Sequence, residues 1–200
     1  MSNVWWSSEN HSKLCTEGSL YNLFCHMNMK DDADSFRAIA INSTVEELKT
    51  SMGVTVIPKR VLDSTHVTDP IEKCLWILEK KFQCRRLKYL NVERFTKPEM
   101  VINMLEAIGL PIILSMIGEN SIFNHVVVAW RGKIIDFEVK TTYPVTRNNI
   151  IQICGPKNPF QKITRGVIIC PSQKMKKAVH DMSDWGEKSI IKEYSHWFAS

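Results

Sequence analysis

The residues that could do covalent chemistry are a cysteine near the start of the chain and a histidine and a carboxylate near its middle. His125 opens an apolar run at 126–130, and Asp136 closes the apolar part of the next run. A histidine on one strand, beside an aspartate on the strand that pairs back with it, is held and oriented as a general base. Cys15 lies just before a helical pattern, and a helix N-terminus favours the thiolate. We therefore predict Cys15 as nucleophile, His125 as base and Asp136 as orienting group.

Each of these residues also has a purely structural interpretation. Free cysteine is among the most buried residue types, so Cys15 could be a core thiol. His125 alone would be a structural strand histidine, and Asp136 could cap its strand or face solvent. Glu138 shares the strand face of Asp136 by period-two alternation and competes for the orienting role. The reactive-site hypothesis depends on whether the two parts of the chain meet.

Size and composition predict one globular domain over residues 1–200. A chain of 200 residues, 44% hydrophobic and 24% charged, is long enough to bury one core. The formal charge of +5 is mildly basic, but the Lys and Arg residues are scattered rather than clustered. A solvated basic surface is therefore a simpler interpretation than a nucleic-acid site.

The cysteine spacing and the termini exclude several other classes. The six cysteines include no Cys-x-x-Cys pair and no zinc-ligand spacing with histidine, so we expect neither a metal site nor a cofactor. The first residues lack the charged and apolar regions of a secretory signal, and no apolar run approaches ~20 residues. We therefore expect reduced thiols, a cytoplasmic location and no membrane partner.

Helical patterns dominate the first half of the chain. Apolar residues at helical spacing follow Cys15, a capping box begins a helix at Thr44, and Gly53 suits its left-handed end. Asp69 is a good N-cap, with Pro70 at the first helical position. Further helical patterns cover residues 96–108, 174–179 and 187–198, and residues 31–40 are either a short helix or an irregular connector.

Short β-branched runs dominate the second half. They cover residues 111–117, 125–130, 133–138 and 167–170, with weaker strand patterns at 54–57 and 86–92. Helices first and strands second predict an α+β domain. Its helical part would span about residues 13–108, its sheet about 109–172, and a C-terminal helical extension about 173–200.

The order of cysteine on an early helix, histidine on a later strand and carboxylate soon after resembles the papain-like cysteine peptidase superfamily. The segment 124–128, Asn-His-Val-Val-Val, is similar to the segment that holds the base in papain-type enzymes. The run 109–114, Gly-Leu-Pro-Ile-Ile-Leu, followed by a turn and then His125, resembles the bacteriocin-leader (double-glycine) peptidase branch. The predicted helix at 44–53 also has an analogue there.

This resemblance implies a helical half packed on an antiparallel sheet, with the site in the cleft between them. Cys15 would attack a carbonyl or thioester carbon, His125 would take and return its proton, and Asp136 would orient the imidazole. The oxyanion donors would be the amide of Cys15 and an upstream polar side chain. The Gln that the family carries there is missing, and Asn10 is the best substitute, at a spacing similar to the Asn of ubiquitin-specific proteases.

The expected function is thus that of a thiol hydrolase, a cysteine peptidase or isopeptidase acting on a peptide or protein substrate. A transglutaminase-like acyl transferase uses the same residue order. The missing Gln motivates a third hypothesis, a degenerate papain-like fold that acts as a protein-interaction module. The basic balance and the cluster of Lys174, Lys176 and Lys177 motivate a nucleic-acid-associated module.

Overall fold

The chain folds into a helical layer packed on an antiparallel sheet, as the α+β prediction requires. The computed structural model describes residues 14–42, 44–62, 69–90, 109–118, 124–137, 141–146 and 160–178. The described helices are α1 (Cys15–His26), α2 (Lys30–Ala40), α3 (Val45–Met52), α4 (Pro70–Lys81) and α5 (Gln173–Ala178), with a 3₁₀ turn at Lys59–Val61. The strands are β1 (Arg85–Leu90), β2 (Ile112–Gly118), β3 (Asn124–Trp130), β4 (Lys133–Asp136), β5 (Thr141–Pro144) and β6 (Phe160–Cys170).

Helix α1 is the central helix of the domain. Its residues 16–24 are all buried, between α2 and α4 on one side and strands β3 and β4 on the other. The apolar face expected from Leu20, Leu23, Phe24 and Met27 is buried as predicted. The polar positions between them are buried as well, because α1 has packing partners all round rather than on one face.

The predicted helix ends of α3 and α4 are confirmed in atomic detail. The Thr44 hydroxyl accepts the Glu47 amide while the Glu47 carboxylate accepts the Thr44 amide, and Gly53 closes α3 at φ +64°. Asp69 accepts the Glu72 amide, with Pro70 at the first helical position. These signals act within one helical turn, so they can be recognised in the sequence without knowledge of the rest of the fold.

The sheet has the strand order β1-β6-β2-β3-β4-β5, and every neighbouring pair is antiparallel. The β3–β4 connection is a two-residue turn at Arg131 and Gly132, both with positive φ (49° and 69°). Such a turn matches the twist of the flanking strands and fixes their register. Residue Val128 consequently pairs with Ile135, and Ala129 with Ile134.

Two strand predictions need correction, and one strand was not predicted. Residues 54–57 form no strand but connect α3 to the 3₁₀ turn, with Val56 73% exposed. A β-branched segment forms a strand only where a neighbouring strand supplies backbone hydrogen bonds. No strand of the described chain pairs with residues 54–57. Strand β1 is in the sheet although it belongs to the part predicted as helical, and it pairs with β6, which begins seven residues earlier than predicted. Strand β5 was not anticipated.

Other predictions fall outside the described residues. These are the helices at 96–108 and 187–198. The alternative at residues 31–40 is resolved as helix α2. Among the described helices, none is long and apolar enough to cross a bilayer.

Candidate active site

Helix α1 is docked onto the β3–β4 hairpin by its two smallest side chains. A Cβ on Gly18 would lie 2.2 Å from the ring of Phe137, so only glycine allows this close approach. The Ser19 hydroxyl donates to the backbone carbonyl of Val126 at 3.4 Å, within the protein interior. Residues three and four positions apart share a helix face, so Cys15 projects from the same face as these two contacts. The first turn of α1 is thereby directed at the hairpin.

The hairpin presents a histidine and a carboxylate at this place. His125 precedes the carbonyl that Ser19 contacts, and Asp136 precedes the ring that Gly18 contacts. The β3–β4 register makes them diagonal neighbours on one face of the hairpin. Their side chains are buried, and His125 Nε2 lies 3.0 Å from Asp136 Oδ2. The ring is therefore oriented by a carboxylate within hydrogen-bond distance.

The side chain of Cys15 is the second hydrogen-bond partner of the His125 ring. Burial alone lowers the pKa of His125, but its hydrogen bonds with Asp136 and with Cys15 outweigh burial and raise the pKa to about 10. The imidazolium form is therefore favoured at neutral pH, between a carboxylate and a sulfur atom. The three residues predicted from distant parts of the sequence are therefore in contact: the His125 ring is hydrogen-bonded to both Asp136 and Cys15.

The start of α1 also supplies backbone donors that are not used within the helix. The first helical hydrogen bond runs from the Gly18 amide to the Leu14 carbonyl at 2.8 Å, and Leu14 provides no side-chain cap. The amides of Cys15, Thr16 and Glu17 thus have no acceptor within the helix. Together with the helix dipole they form an environment that stabilises negative charge at Cys15.

Two charged residues near the site were not anticipated. Glu17, in the first turn of α1, forms a buried ion pair with Lys73 of α4, with Oε1 and Nζ 2.7 Å apart. In the sequence, Lys73 directly precedes the apolar segment 74–78 of α4, and Glu17 lies three positions before Leu20, the first large apolar residue of α1. Neither residue was among the predicted site residues.

The other four cysteines of the described chain differ from Cys15 in their burial or in their surroundings. Cys74, Cys84 and Cys170 are buried, and burial raises the pKa of Cys74 and of Cys84. Cys25 is half-buried like Cys15, and burial raises the pKa of its thiol as well. The side chain of Cys15, in contrast, is hydrogen-bonded to the ring of His125.

The remaining predicted residues lie elsewhere or outside the described chain. The proposed oxyanion donor Asn10 and the competing carboxylate Glu138 are both outside the described residues. Of the predicted basic cluster, Lys174 is exposed and bonds to Asp32 of α2 at 2.7 Å. A lysine paired in this way has part of its charge offset by a carboxylate.

Comparison with known proteins identified no relative of this chain. The chain matches no protein-family model, no curated protein and no solved structure.

Proposed function

We propose that the protein is a papain-like thiol hydrolase, a cysteine peptidase or isopeptidase that cleaves a peptide, isopeptide or related acyl bond. The observation that carries the proposal is the His125 ring, hydrogen-bonded to Asp136 on one side and to Cys15 on the other. A half-buried cysteine at a helix N-terminus beside a buried His–Asp pair has the parts that nucleophilic acyl chemistry needs. The resemblance to papain-like peptidases in residue order supports the same assignment.

The first step in this proposal is proton transfer from Cys15 to His125. The raised pKa of His125 favours the imidazolium, and the free amides of the first turn of α1 favour the thiolate. Because Asp136 occupies Nε2, the other ring nitrogen, Nδ1, is the one that faces the sulfur in this mechanism.

Attack by the Cys15 sulfur on the substrate carbonyl forms a tetrahedral oxyanion. The Cys15 amide is a suitable donor to it, since its N–H has no acceptor in α1. His125 returns its proton to the leaving amine, and the C–N bond breaks to give an acyl-enzyme on Cys15. Water, deprotonated by the neutral imidazole, then hydrolyses the thioester and frees the sulfur.

The test is to trap the acyl-enzyme. The wild-type protein is incubated with quenched-fluorescence peptide and isopeptide libraries, and the chain is digested and mapped by mass spectrometry after rapid acid quench. We expect cleavage and a thioester adduct on the peptide that carries Cys15. Cleavage that persists in a Cys15→Ala variant, or an adduct carried by Cys25 instead, would overturn the assignment.

The interaction-module hypothesis gives the opposite result in the same experiment. A degenerate site would give neither cleavage nor adduct, and the Cys15→Ala variant would behave as the wild type in any binding assay. A transferase would show an adduct that an added primary amine, rather than water, discharges.

A further inference from the structure

The short strand at the edge of the sheet, β5, brings a tyrosine to the pair of His125 and Asp136. In the β4–β5 ladder Tyr143 lies directly opposite Ile134, and Thr141 lies directly opposite Asp136. Residues directly opposite each other in an antiparallel pair share a face of the sheet, and so do residues two positions apart on one strand. Tyr143 is therefore on the face that carries Asp136.

The three residues form a diagonal line across three strands. The β3–β4 register, which pairs Val128 with Ile135, displaces His125 from Asp136 by two positions toward one end of the sheet. The β4–β5 register displaces Tyr143 from Asp136 by two positions toward the other end. Diagonal neighbours of this kind are within reach of aromatic and other long side chains. The position of Asp136 is thus between the imidazole on β3 and the phenol ring on β5.

The burial of Asp136 needs a cover on the edge side of the sheet. β4 is the second strand from this edge, and no strand of the described chain pairs with the outer side of β5. Asp136 and Ile134 are nevertheless buried, at 6% and 0% exposure. Tyr143 is half-buried, and it is the large side chain that β5 places beside both of them. Its ring is the cover that the register provides.

The electrostatics support the proximity that the register gives. Burial, and then the negative charge of Asp136, raise the pKa of the Tyr143 hydroxyl. A hydrogen bond between an imidazole and a carboxylate is stronger where water is excluded, because the local dielectric constant is low and water does not compete for the carboxylate. The bond from His125 to Asp136, at 3.0 Å, therefore depends on what lies beside the carboxylate.

We propose that Tyr143 is a positioning residue whose ring covers the Asp136 carboxylate and keeps water from its hydrogen bond with His125. The apolar ring is the part of the side chain that excludes water, so the hydroxyl is dispensable. Without the ring, water reaches the carboxylate and the imidazole is held less firmly. The effect on catalysis rests on the proposed function, whereas the effect on the hydrogen bond does not.

The experiment measures by NMR how fast the Nε2 proton of His125 exchanges with water at neutral pH in the full-length protein. Tyr143→Ala should raise the exchange rate by about tenfold or more, because water then reaches the hydrogen bond. Tyr143→Phe keeps the ring and should retain the wild-type rate. Thr142→Ala is the matched control, since Thr142 is on the opposite face of the same strand, and it should also retain the wild-type rate.

A merely structural role of Tyr143 predicts a different pattern, in which exchange rises with any loss of stability in β5, including that of Thr142→Ala. An exchange rate that is unchanged in Tyr143→Ala, or raised equally in Tyr143→Phe, would overturn the inference. If Tyr143→Ala does not fold, Tyr143→Val gives the same decision, because valine suits a strand but does not replace the ring.

The hydrolysis assay gives the consequence for catalysis. Tyr143→Ala should lower the turnover number by about tenfold with KM unchanged, because a loosened imidazole acts on the reacting atoms and not on substrate binding. A raised KM with an unchanged turnover number would contradict a positioning role. The exchange measurement needs no substrate, so its failure is distinguishable from a failure to trap the acyl-enzyme, which tests the proposed function.

Discussion

The two ends of helix α1 each carry a half-buried cysteine close to a histidine, but the surroundings of the two histidines differ. At the N-terminal end Cys15 is hydrogen-bonded to His125, whose pKa is raised to about 10 by Asp136 and Cys15 despite burial. At the C-terminal end Cys25 is followed by His26, whose pKa is lowered by burial and by Lys133.

The difference lies in the surrounding charges and in the direction of the helix. The N-terminal end offers free amides and the positive end of the dipole, which favour a thiolate. At the other end, burial raises the pKa of the Cys25 thiol, and that thiol is hydrogen-bonded to Tyr21, beside the ion pair of Lys30 and Asp34. The two histidines therefore differ in the direction of their pKa shift, and the hydrogen bond with the Asp136 carboxylate is a cause of the raised value at His125.

The largest expected effect comes from removing that carboxylate. Asp136→Asn keeps the shape but loses the charge that stabilises the imidazolium, so we expect the turnover number to fall by about 10² to 10⁴. Asp34→Asn is the matched control, because it removes a carboxylate beside Cys25, and it should leave turnover unchanged. Steady-state hydrolysis of the library substrate measures both. Equal losses in the two variants would remove the distinction between the ends.

The second effect is on the pH dependence of stability. The folded pKa of His125, about 10, is above its ordinary value of 6.5, so its contribution is complete below pH 6.5 and is lost as pH rises through about 10. A difference of one between the folded and unfolded pKa corresponds to about 1.4 kcal/mol, so a loss of a few kcal/mol is expected over this window. The pKa of His26 is lowered, so its effect is opposite: stability falls as the solution is acidified below its ordinary pKa.

Urea unfolding of the wild type, His125→Gln and His26→Gln between pH 5 and pH 10 separates these contributions. The first variant should flatten the alkaline decline, and the second should reduce the acid decline. An alkaline decline that is unchanged in His125→Gln would mean that the ring is not held as imidazolium.

The third effect concerns the close approach of α1 to the hairpin. Gly18→Ala places a methyl group against the ring of Phe137, which should cost about 1–3 kcal/mol of stability. By moving the first turn it should also lower turnover by up to about 10²-fold. Adding Phe137→Leu makes room for the methyl group, so the double variant should recover most of both losses. If the effects of Gly18→Ala and Phe137→Leu simply add in the double variant, the contact between these two residues does not define how α1 packs on the hairpin.

The smallest effect is expected for the hydroxyl that ties α1 to β3. Ser19→Ala removes the buried bond to the Val126 carbonyl and should cost about 0.5–1.5 kcal/mol. Ser35→Ala removes an exposed bond to the Asp31 carbonyl in α2, and its cost should be below about 0.5 kcal/mol. Chemical denaturation of the two variants gives the comparison. A larger loss at Ser35 would contradict the burial argument.

Sequence patterns predicted the parts of the fold that depend on short-range signals. The capping box at Thr44 and the N-cap at Asp69 act within one helical turn, and both are present. The pairing of His125 with Asp136 was predictable for a related reason, because the turn at 131–132 fixes the register of the two strands. The likeness of the whole domain to papain-like peptidases stays a prediction.

Two of the unpredicted features join distant segments. Glu17 and Lys73 are 56 positions apart, and no local pattern couples them. The pairing of β1 with β6 joins Arg85 to Cys170, 85 positions later, so β1 was assigned to no sheet in advance. The strand expected at 54–57 shows the converse, since β propensity without a neighbouring strand did not suffice.

The most direct test of the central claim is the ratio of the alkylation rates of Cys15 and Cys25 in one protein at pH 6.5, with and without the His125 ring. The two thiols have similar exposure, so the ratio reports thiolate formation more than access. We predict that Cys15 reacts at least tenfold faster in the wild type and that His125→Gln abolishes this advantage. A ratio near one in the wild type, or a ratio that survives the loss of the ring, would contradict the account.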